Sequence, residues 1–248
     1  MKQLIAFDLD GTLAESKQPI GADMAALLAR LLGVADVAII SGGDWPQFEK
    51  QVVSRLPDGA NLRRLFILPT TGTKLYRFDG GWRAVYDESF ATDERDRIIA
   101  ALDNASAEAG LGHERAWGPR IEDRGSQITL SALGQEAPLE AKKAWDPDLA
   151  KRKRLQGILH ALLPDLSVNI GGSTSIDITH QGIDKAYGMR KLAEYVGITF
   201  DDILFLGDAI YPGGNDDPVR AAGIDSIPVR DVAETRSAVS AIIACLAP

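Results

Sequence analysis

The sequence predicts an α/β fold: a doubly wound, Rossmann-like parallel sheet built from both ends of the chain, with an inserted α+β domain. Short, fully apolar runs near both ends are separated by stretches with helical spacing, which is typical of parallel strands covered on both faces. Between these ends the chain changes to alternating strand patterns and polar-faced helices, which is typical of an α+β unit.

The individual elements follow from hydrophobic periodicity and from turn residues. Four apolar runs are predicted as buried strands, at residues 4–7, 37–40, 65–68 and 203–206. Helices are predicted over residues 22–32, 92–109, 148–163 and 184–196, and Asp184 is the expected N-cap of the last one. Alternating strand patterns occupy residues 121–131 and 167–179.

A hairpin-like turn at Asp79-Gly80-Gly81 suggests where the inserted domain begins. Residues 74–78 and 82–86 flank this turn. We place the inserted domain, or cap, at residues 82–182, and the discontinuous core at residues 1–81 and 183–248.

Composition excludes several classes of protein. The 248 residues carry a net charge of −8, which argues against sequence-independent binding to nucleic acid. Cys245 is the only cysteine, so neither an intramolecular disulfide nor a zinc site built on cysteines is possible. No run approaches the ~20 apolar residues of a membrane span. We expect a cytoplasmic protein with no membrane or nucleic-acid partner.

The strongest local signal is the pair of carboxylates in Asp8-Leu9-Asp10-Gly11-Thr12, directly after a predicted strand. Ligands of open α/β sheets lie beyond the carboxyl ends of the strands. Two carboxylates in a tight turn can bind a hard cation. The first can also attack phosphorus, and the second can carry a proton to the leaving group.

Three further features lie at the ends of other predicted elements. Ser41 and Gly42 follow the second strand, where backbone N–H groups can approach a phosphate. Lys185 lies in the first turn of a helix, an unfavourable place for a cation unless an anion is close. Gly207-Asp208 follows a fourth strand, and Asn215-Asp216 comes seven residues later.

Together these motifs resemble those of the haloacid dehalogenase superfamily of aspartyl-phosphate enzymes, over nearly the whole chain. Within its sugar-phosphatase branch, the likeness is greatest to eukaryotic-type phosphomannomutases. That family has the Pro-Gly-Gly insertion of Pro212-Gly213-Gly214, the pair Gly171-Gly172 and the segment Ser175-Ile176-Asp177. The resemblance implies a Mg²⁺-dependent enzyme acting on a sugar phosphate in a cleft beneath the cap.

The resemblance also implies roles for the core residues. Asp8 is the expected nucleophile, and Asp10 the general acid and then the general base. Mg²⁺ is expected on the Asp8 carboxylate, the Asp10 carbonyl and Asp208, with support from Asn215 and Asp216. The expected phosphate-binding residues are Ser41, Gly42 and Lys185.

The identity of the phosphoryl acceptor decides between two activities. A phosphatase passes the phosphoryl group from Asp8 to water, whereas a mutase passes it to a hydroxyl of a sugar phosphate. We expect a sugar phosphatase, with a hexose-phosphate mutase as the alternative. A non-catalytic phosphosugar-binding protein is the third hypothesis, and it would predict damage to the core motifs, none of which is damaged.

The cap sequence is the reason for preferring hydrolysis. Residues 124–135 resemble a mutase segment that begins and ends with phosphate-binding arginines. Arg124 matches the first arginine, but Gln135 stands at the second, and Arg120 is a candidate substitute. Ser175 and Asp177 alternate on a predicted strand and are expected to contact sugar hydroxyls. Related mutases often pair through their caps, so a homodimer is one option for this chain.

Overall fold

The computed structural model describes residues 2–171 and 173–247. The chain divides into two compact units. The first, the core unit, consists of Met1–Asp87 together with Asp184–Pro248, and the second consists of Glu88–Ile183. The eleven strands of the described residues are β1 Leu4–Asp8, β2 Asp36–Ile40, β3 Leu65–Leu68, β4 Lys74–Phe78, β5 Trp82–Asp87, β6 Ile121–Asp123, β7 Ile128–Ser131, β8 Leu166–Ile170, β9 Ser175–His180, β10 Ile203–Gly207 and β11 Asp225–Pro228. The eight α-helices described are α1 Ala22–Leu31, α2 Trp45–Gln51, α3 Thr92–Glu108, α4 Leu139–Trp145, α5 Ala150–Leu162, α6 Lys185–Val196, α7 Asp217–Ala221 and α8 Val232–Leu246.

The core unit contains a seven-stranded sheet in the order β11-β10-β1-β2-β3-β4-β5. The first five strands are parallel, and β4 and β5 join them as an antiparallel hairpin. β1 to β3 and β10 are apolar throughout most of their length because helices cover both faces of this part of the sheet. The predicted α/β class is therefore confirmed, with strands from both chain ends in one sheet.

Two apolar clusters lie on the two faces of this sheet. Ile5, Phe7 and Ile39 belong to the cluster that also takes in residues of α1 and α8. Leu4 and Ala6, the alternate residues of β1, belong to the cluster that includes α6. Alternate side chains of one strand thus enter opposite layers, as the period of two requires.

The second unit has a four-stranded antiparallel sheet in the order β6-β7-β9-β8. Its own apolar cluster draws on α3 and α5 as well as on the strands, with Ile98, Leu159 and Ile178 fully buried. This unit corresponds to the predicted α+β cap.

The predicted boundary of the cap needs correction. The sequence pattern places this boundary at residue 82, but β5 pairs with β4 and stays in the core sheet, so the division falls after Asp87. The reason is that the turn at residues 79–81 closes a hairpin within one sheet. At the other end the division falls between Ile183 and Asp184.

Candidate active site

Parallel pairing brings together two motifs that are distant in the sequence. β1 ends at Asp8 and β10 ends at Gly207. The two strands are neighbours, with Phe7 opposite Leu206. Asp208 therefore follows β10 at the same edge of the sheet where Asp8 ends β1.

Three carboxylates form a cluster at this edge. Asp8, Asp208 and Asp216 each offer one oxygen, and these oxygens all lie within 4.8 Å of one another. Asp8 and Asp216 are buried, whereas Asp208 is exposed. Gly11 makes the cluster possible: its φ is +90°, and a Cβ there would overlap the Asp208 carboxylate.

A buried lysine joins two of these carboxylates. Lys185 Nζ donates to Asp8 Oδ1 over 2.6 Å and to Asp216 Oδ1 over 2.5 Å. The helix that carries the lysine begins at this residue, and the Asp184 side chain caps it by accepting from Tyr187 N. The expected N-cap is therefore confirmed, and the expected anion near Lys185 is a pair of aspartates.

Burial and neighbouring charges shift the pKa values of the ionisable groups in this cluster. Burial raises the pKa of Asp8 to about 7, against the opposing effect of Lys185. Desolvation of its carboxyl, followed by the charge of Asp216, raises the pKa of Asp208. Desolvation acts to lower the pKa of Lys185, but Asp8 and Asp216 outweigh it and raise that pKa.

This donor set fits a divalent cation. Hard cations such as Mg²⁺ take oxygen ligands, and the cluster offers three carboxylates against one lysine. A second positive charge would favour the ionised forms of Asp8 and Asp208, whose pKa values are raised in the protein alone.

The loop after β2 lies next to the end of β1. Asp8 is paired with Ile40, so Ser41 begins the adjacent loop. Ser41 is buried, and its Oγ accepts from Gly43 N over 3.4 Å. A 3₁₀ turn at Thr70–Gly72 supports this loop, because Thr70 N and Thr71 N donate to the carbonyls of Gly43 and Ser41.

The carboxylate of Asp10 is held by donors that sequence reasoning missed. Its Oδ1 accepts from Lys17 N over 2.6 Å and from Gln51 Nε2 over 3.4 Å, and its Oδ2 accepts from Gln47 Nε2 over 3.0 Å. Both glutamines lie on α2, which was not predicted. Gln47 and Gln51 are four residues apart and so lie on the same face of this helix, but their spacing alone does not show that this face meets Asp10.

Asn215 and Asp216, which follow the Gly207-Asp208 motif by seven residues, have different surroundings. Asp216 is fully buried, and besides Lys185 it accepts from Ala209 N over 3.0 Å. Asn215 is exposed and makes no side-chain hydrogen bond within the described part of the chain. The structure thus brings Asp216 into the cluster but does not do so for Asn215.

The predicted cap residues divide into two groups. In the first group, β7 and β9 pair so that Thr129 lies opposite Asp177, and Thr129 Oγ1 donates to Asp177 Oδ1 over 2.8 Å. Burial raises the pKa of Asp177, whereas Thr129 and Arg124 act to lower it. Arg124 also forms an ion pair with Glu122 over 2.7 Å. Ser175 lies two residues before Asp177 on β9, on the same face of the strand.

The second group is Arg120 and Gln135, which bind the backbone of their own unit. Arg120 donates from Nε to Ala132 O over 2.9 Å and from Nη2 to Glu114 O over 2.6 Å. Gln135 Nε2 donates to Arg120 O over 3.5 Å. The Arg120 guanidinium therefore fixes the local backbone rather than standing free as a substitute for the missing arginine.

Comparisons with known proteins agree with these motifs. The family described as eukaryotic phosphomannomutase matches residues 24–223. Phosphomannomutase 1 of Homo sapiens is 28% identical over 222 residues, which are 86% of this chain and 81% of the human protein. The phosphomannomutase of Schizosaccharomyces pombe is 27% identical over 226 residues, 87% and 84% of the two chains.

Solved structures share the fold. A haloacid dehalogenase-like hydrolase from Bacteroides thetaiotaomicron superposes with a TM-score of 0.66 at 17% identity, over 98% of this chain and all of that one. The IMP-nucleotidase of Plasmodium falciparum gives a TM-score of 0.72 at 14% identity, over 98% of this chain and 68% of the other. Among the described residues, no helix has both the length and the apolar character needed to cross a membrane.

Proposed function

Since this chain belongs to the eukaryotic phosphomannomutase family of the haloacid dehalogenase superfamily, we propose that it is a hexose-phosphate mutase acting through a phosphorylated Asp8. The family match supports the choice of a mutase, and the buried contact between Lys185 and Asp8 at the end of β1 is the structural observation that supports a phosphorylated Asp8. Lys185 holds one oxygen of the Asp8 carboxylate. The other oxygen is then the nucleophile toward a phosphoryl group at the edge of the sheet.

The first half of the reaction phosphorylates the enzyme. Asp8 attacks phosphorus, the bond from phosphorus to the sugar oxygen breaks, and Asp10 gives that oxygen a proton. In the second half, Asp10 takes the proton from a sugar-phosphate hydroxyl, that hydroxyl attacks the phosphorus, and the bond between phosphorus and the Asp8 oxygen breaks to release the free carboxylate. In a mutase the two halves transfer the group to a different carbon of the sugar.

The remaining core residues compensate the charge of the transferred group. Phosphoryl transfer depends mainly on positioning and on stabilising the charge of the equatorial oxygens. Lys185, the Ser41 hydroxyl and the N–H groups of the following loop supply donors for this purpose. Asp8, the Asp10 carbonyl and Asp208 would hold Mg²⁺, which when bound adds positive charge beside the phosphoryl oxygens.

Hydrolysis remains a second candidate because of an observation in the cap. A mutase must bind the distal phosphate of a bisphosphorylated sugar, a task suited to arginine. Here Gln135 is neutral, Arg120 binds two backbone carbonyls, and Arg124 is paired with Glu122. Charge-assisted hydrogen bonds contribute ~1.5–3 kcal/mol against ~1 kcal/mol for neutral ones, so a weaker grip favours release of the sugar.

One assay separates the two candidates. The purified protein is incubated with Mg²⁺ and either mannose 1-phosphate or glucose 1-phosphate, with and without hexose 1,6-bisphosphate. Hexose 6-phosphate and inorganic phosphate are followed in parallel. Hexose 6-phosphate formed only when the bisphosphate is present supports the mutase, whereas release of phosphate without isomerisation identifies a phosphatase.

The same assay with Asp8→Asn tests the shared intermediate. An amide at this position cannot form the acyl phosphate, so both products are expected to fall to background. Turnover at the normal rate in this variant would exclude Asp8 as the nucleophile under either candidate.

A further inference from the structure

The Asp10 carboxylate accepts three hydrogen bonds from two separate segments. One donor is the backbone N–H of Lys17, in the loop that follows the motif. The other two are the side-chain amides of Gln47 and Gln51, one turn apart on α2. A carboxylate held from two directions keeps one orientation, which a freely rotating surface aspartate would not do.

The loop that contributes Lys17 is itself in an unusual conformation. Lys17 has a φ of 60°, which is uncommon for a residue with a side chain. Gln51 fixes the loop at two further points, because its Nε2 donates to Gln18 O over 2.6 Å and its backbone carbonyl accepts from Ile20 N over 2.9 Å. Such strain persists only where the surrounding structure enforces it.

Gln51 also has an unmet acceptor. Its side chain is buried, and its Oε1 has no hydrogen-bond partner within the described residues. A buried acceptor left unpaired costs about 1–3 kcal/mol. The orientation of the Gln51 amide therefore allows its nitrogen to donate to Gln18 O and to Asp10, while its oxygen is left without a hydrogen bond.

The bonds to Asp10 are unevenly divided between its two oxygens. Oδ1 accepts two of them and Oδ2 accepts one. Each carboxylate oxygen has two lone pairs. Oδ2 therefore keeps one free acceptor position, beside the bond from Gln47.

We propose that Gln47 and Gln51 are positioning residues that fix the Asp10 carboxylate so that its Oδ2 carries the proton exchanged with the sugar oxygen. This inference rests on the proposed role of Asp10 as acid and base. The proton leaves Oδ2 as the bond between phosphorus and the leaving oxygen breaks, and it returns to Oδ2 from the attacking hydroxyl. Both glutamines act only through the Asp10 carboxylate, and neither forms or breaks a bond in the reaction.

The test uses Gln47→Met, which removes the donor at nearly constant size, and compares two substrates. Hexose 1-phosphate has a poor leaving group that needs the proton, whereas p-nitrophenyl phosphate has a good one that does not. With hexose 1-phosphate and the bisphosphate we expect kcat to fall about 10-fold with little change in KM, a partial loss compared with the ~10²–10⁴-fold that general acid–base catalysis contributes. The burst of p-nitrophenolate that reports phosphorylation of Asp8 is expected to keep its rate.

Two comparisons complete the design. Glu49→Met places the same side chain at an exposed position of the same helix and is expected to leave kcat unchanged. In an Asp10→Asn background, Gln47→Met is expected to cause no further loss, because the group that it positions is no longer an acid.

The outcomes separate this inference from the proposed function. The positioning role would be overturned if Gln47→Met lost the same fraction of its rate with both substrates. It would also be overturned if Gln47→Met caused its full loss of rate in the Asp10→Asn background. If Asp10→Asn slows transfer but Gln47→Met does not, the positioning role is wrong and the function of Asp10 stands. If Asp10→Asn itself transfers at the normal rate, the proposed function loses its acid and base, and the inference falls with it.

Discussion

At the scale of single residues, Lys185 is the side chain on which the charge balance of the site depends. It lies buried between two buried carboxylates, at 2.6 Å from Asp8 and 2.5 Å from Asp216. Removing one member of a buried charge cluster leaves its partners uncompensated, at a cost of about 3–5 kcal/mol. In the proposed function, the same cation also compensates the charge of the phosphoryl group on Asp8.

Lys185→Met is therefore expected to lower both stability and turnover. The free energy of unfolding, measured in urea, should fall by about 3–5 kcal/mol, and phosphoenzyme formation should drop to background. Arg190→Met on the same helix is the control, since Arg190 is exposed and surface changes usually stay within about 0.5 kcal/mol. Normal turnover in Lys185→Met would contradict a role for this cation.

The pKa of Asp8 gives a second prediction, on pH and metal. Its folded-state pKa is about 7 against a reference of 3.8, so the protein alone binds this proton more tightly when folded. The contribution to stability is complete below pH 3.8 and is lost as the pH rises through 7. Mg²⁺ favours the ionised carboxylate, so its stabilising effect should grow over this range.

Thermal unfolding between pH 5 and 8, in EDTA and in Mg²⁺, measures this effect. The increase in Tm caused by Mg²⁺ should be small at pH 5 and should rise toward pH 8. Asp8→Asn is the matched control and should show a weaker dependence on pH. A gain in Tm that is independent of pH in the unmodified protein would show that Mg²⁺ does not bind at Asp8.

At the scale of elements, a close contact between two glycines sets the position of α6. A Cβ on Gly188 would lie 2.6 Å from Ile40 Cδ1, 2.9 Å from Thr71 O and 3.0 Å from Gly72 Cα. Two of these three atoms are backbone, so they cannot move aside cheaply. The helix that begins at Lys185 thus packs directly on the turn that supports the Ser41 loop.

Gly188→Ala is expected to disturb both elements. Overpacking of this kind costs about 1–3 kcal/mol, measurable as a lower urea midpoint, and transfer to Asp8 should slow because Lys185 is displaced. Gly157→Ala makes the same change in α5, where the added Cβ would have no atom within 4 Å apart from its chain neighbours and its own helix backbone, and it should stabilise by about 0.5–1 kcal/mol. Equal effects of the two changes would rule out the packing contact as the cause.

The elements also show what the sequence could and could not predict. The buried strands and α6 were predictable because a continuous apolar run, or a run with an N-cap, is a local signal. Helix α2 was missed because its seven residues include Pro46 and few apolar positions. Its glutamines reach Asp10 only through tertiary packing, and no local pattern reports such a contact.

At the scale of the whole molecule, the chain builds two units with separate apolar clusters. The core unit depends on both chain ends, because β1 lies between β2 and β10 in the sheet. This discontinuity was predictable, since apolar strands occur at both ends of the sequence. The exact boundary between the two units was not predictable, because a hairpin turn at the edge of a sheet and one at the start of a new domain have the same sequence pattern.

The second unit is continuous in sequence and has its own core, so we expect residues 88–183 to fold alone. As a separate fragment it should show helical circular dichroism and one cooperative transition in urea, because its buried cluster joins α3 and α5 to the sheet.

Within this fragment, Leu159→Ala should lower the free energy of unfolding by about 2–5 kcal/mol, since Leu159 is fully buried. Leu162→Ala makes the same change on the same helix at a side chain that is 44% exposed, and should cost under about 0.5 kcal/mol. A fragment that unfolds without a cooperative transition, or that responds equally to both substitutions, would mean that this unit needs the core in order to fold.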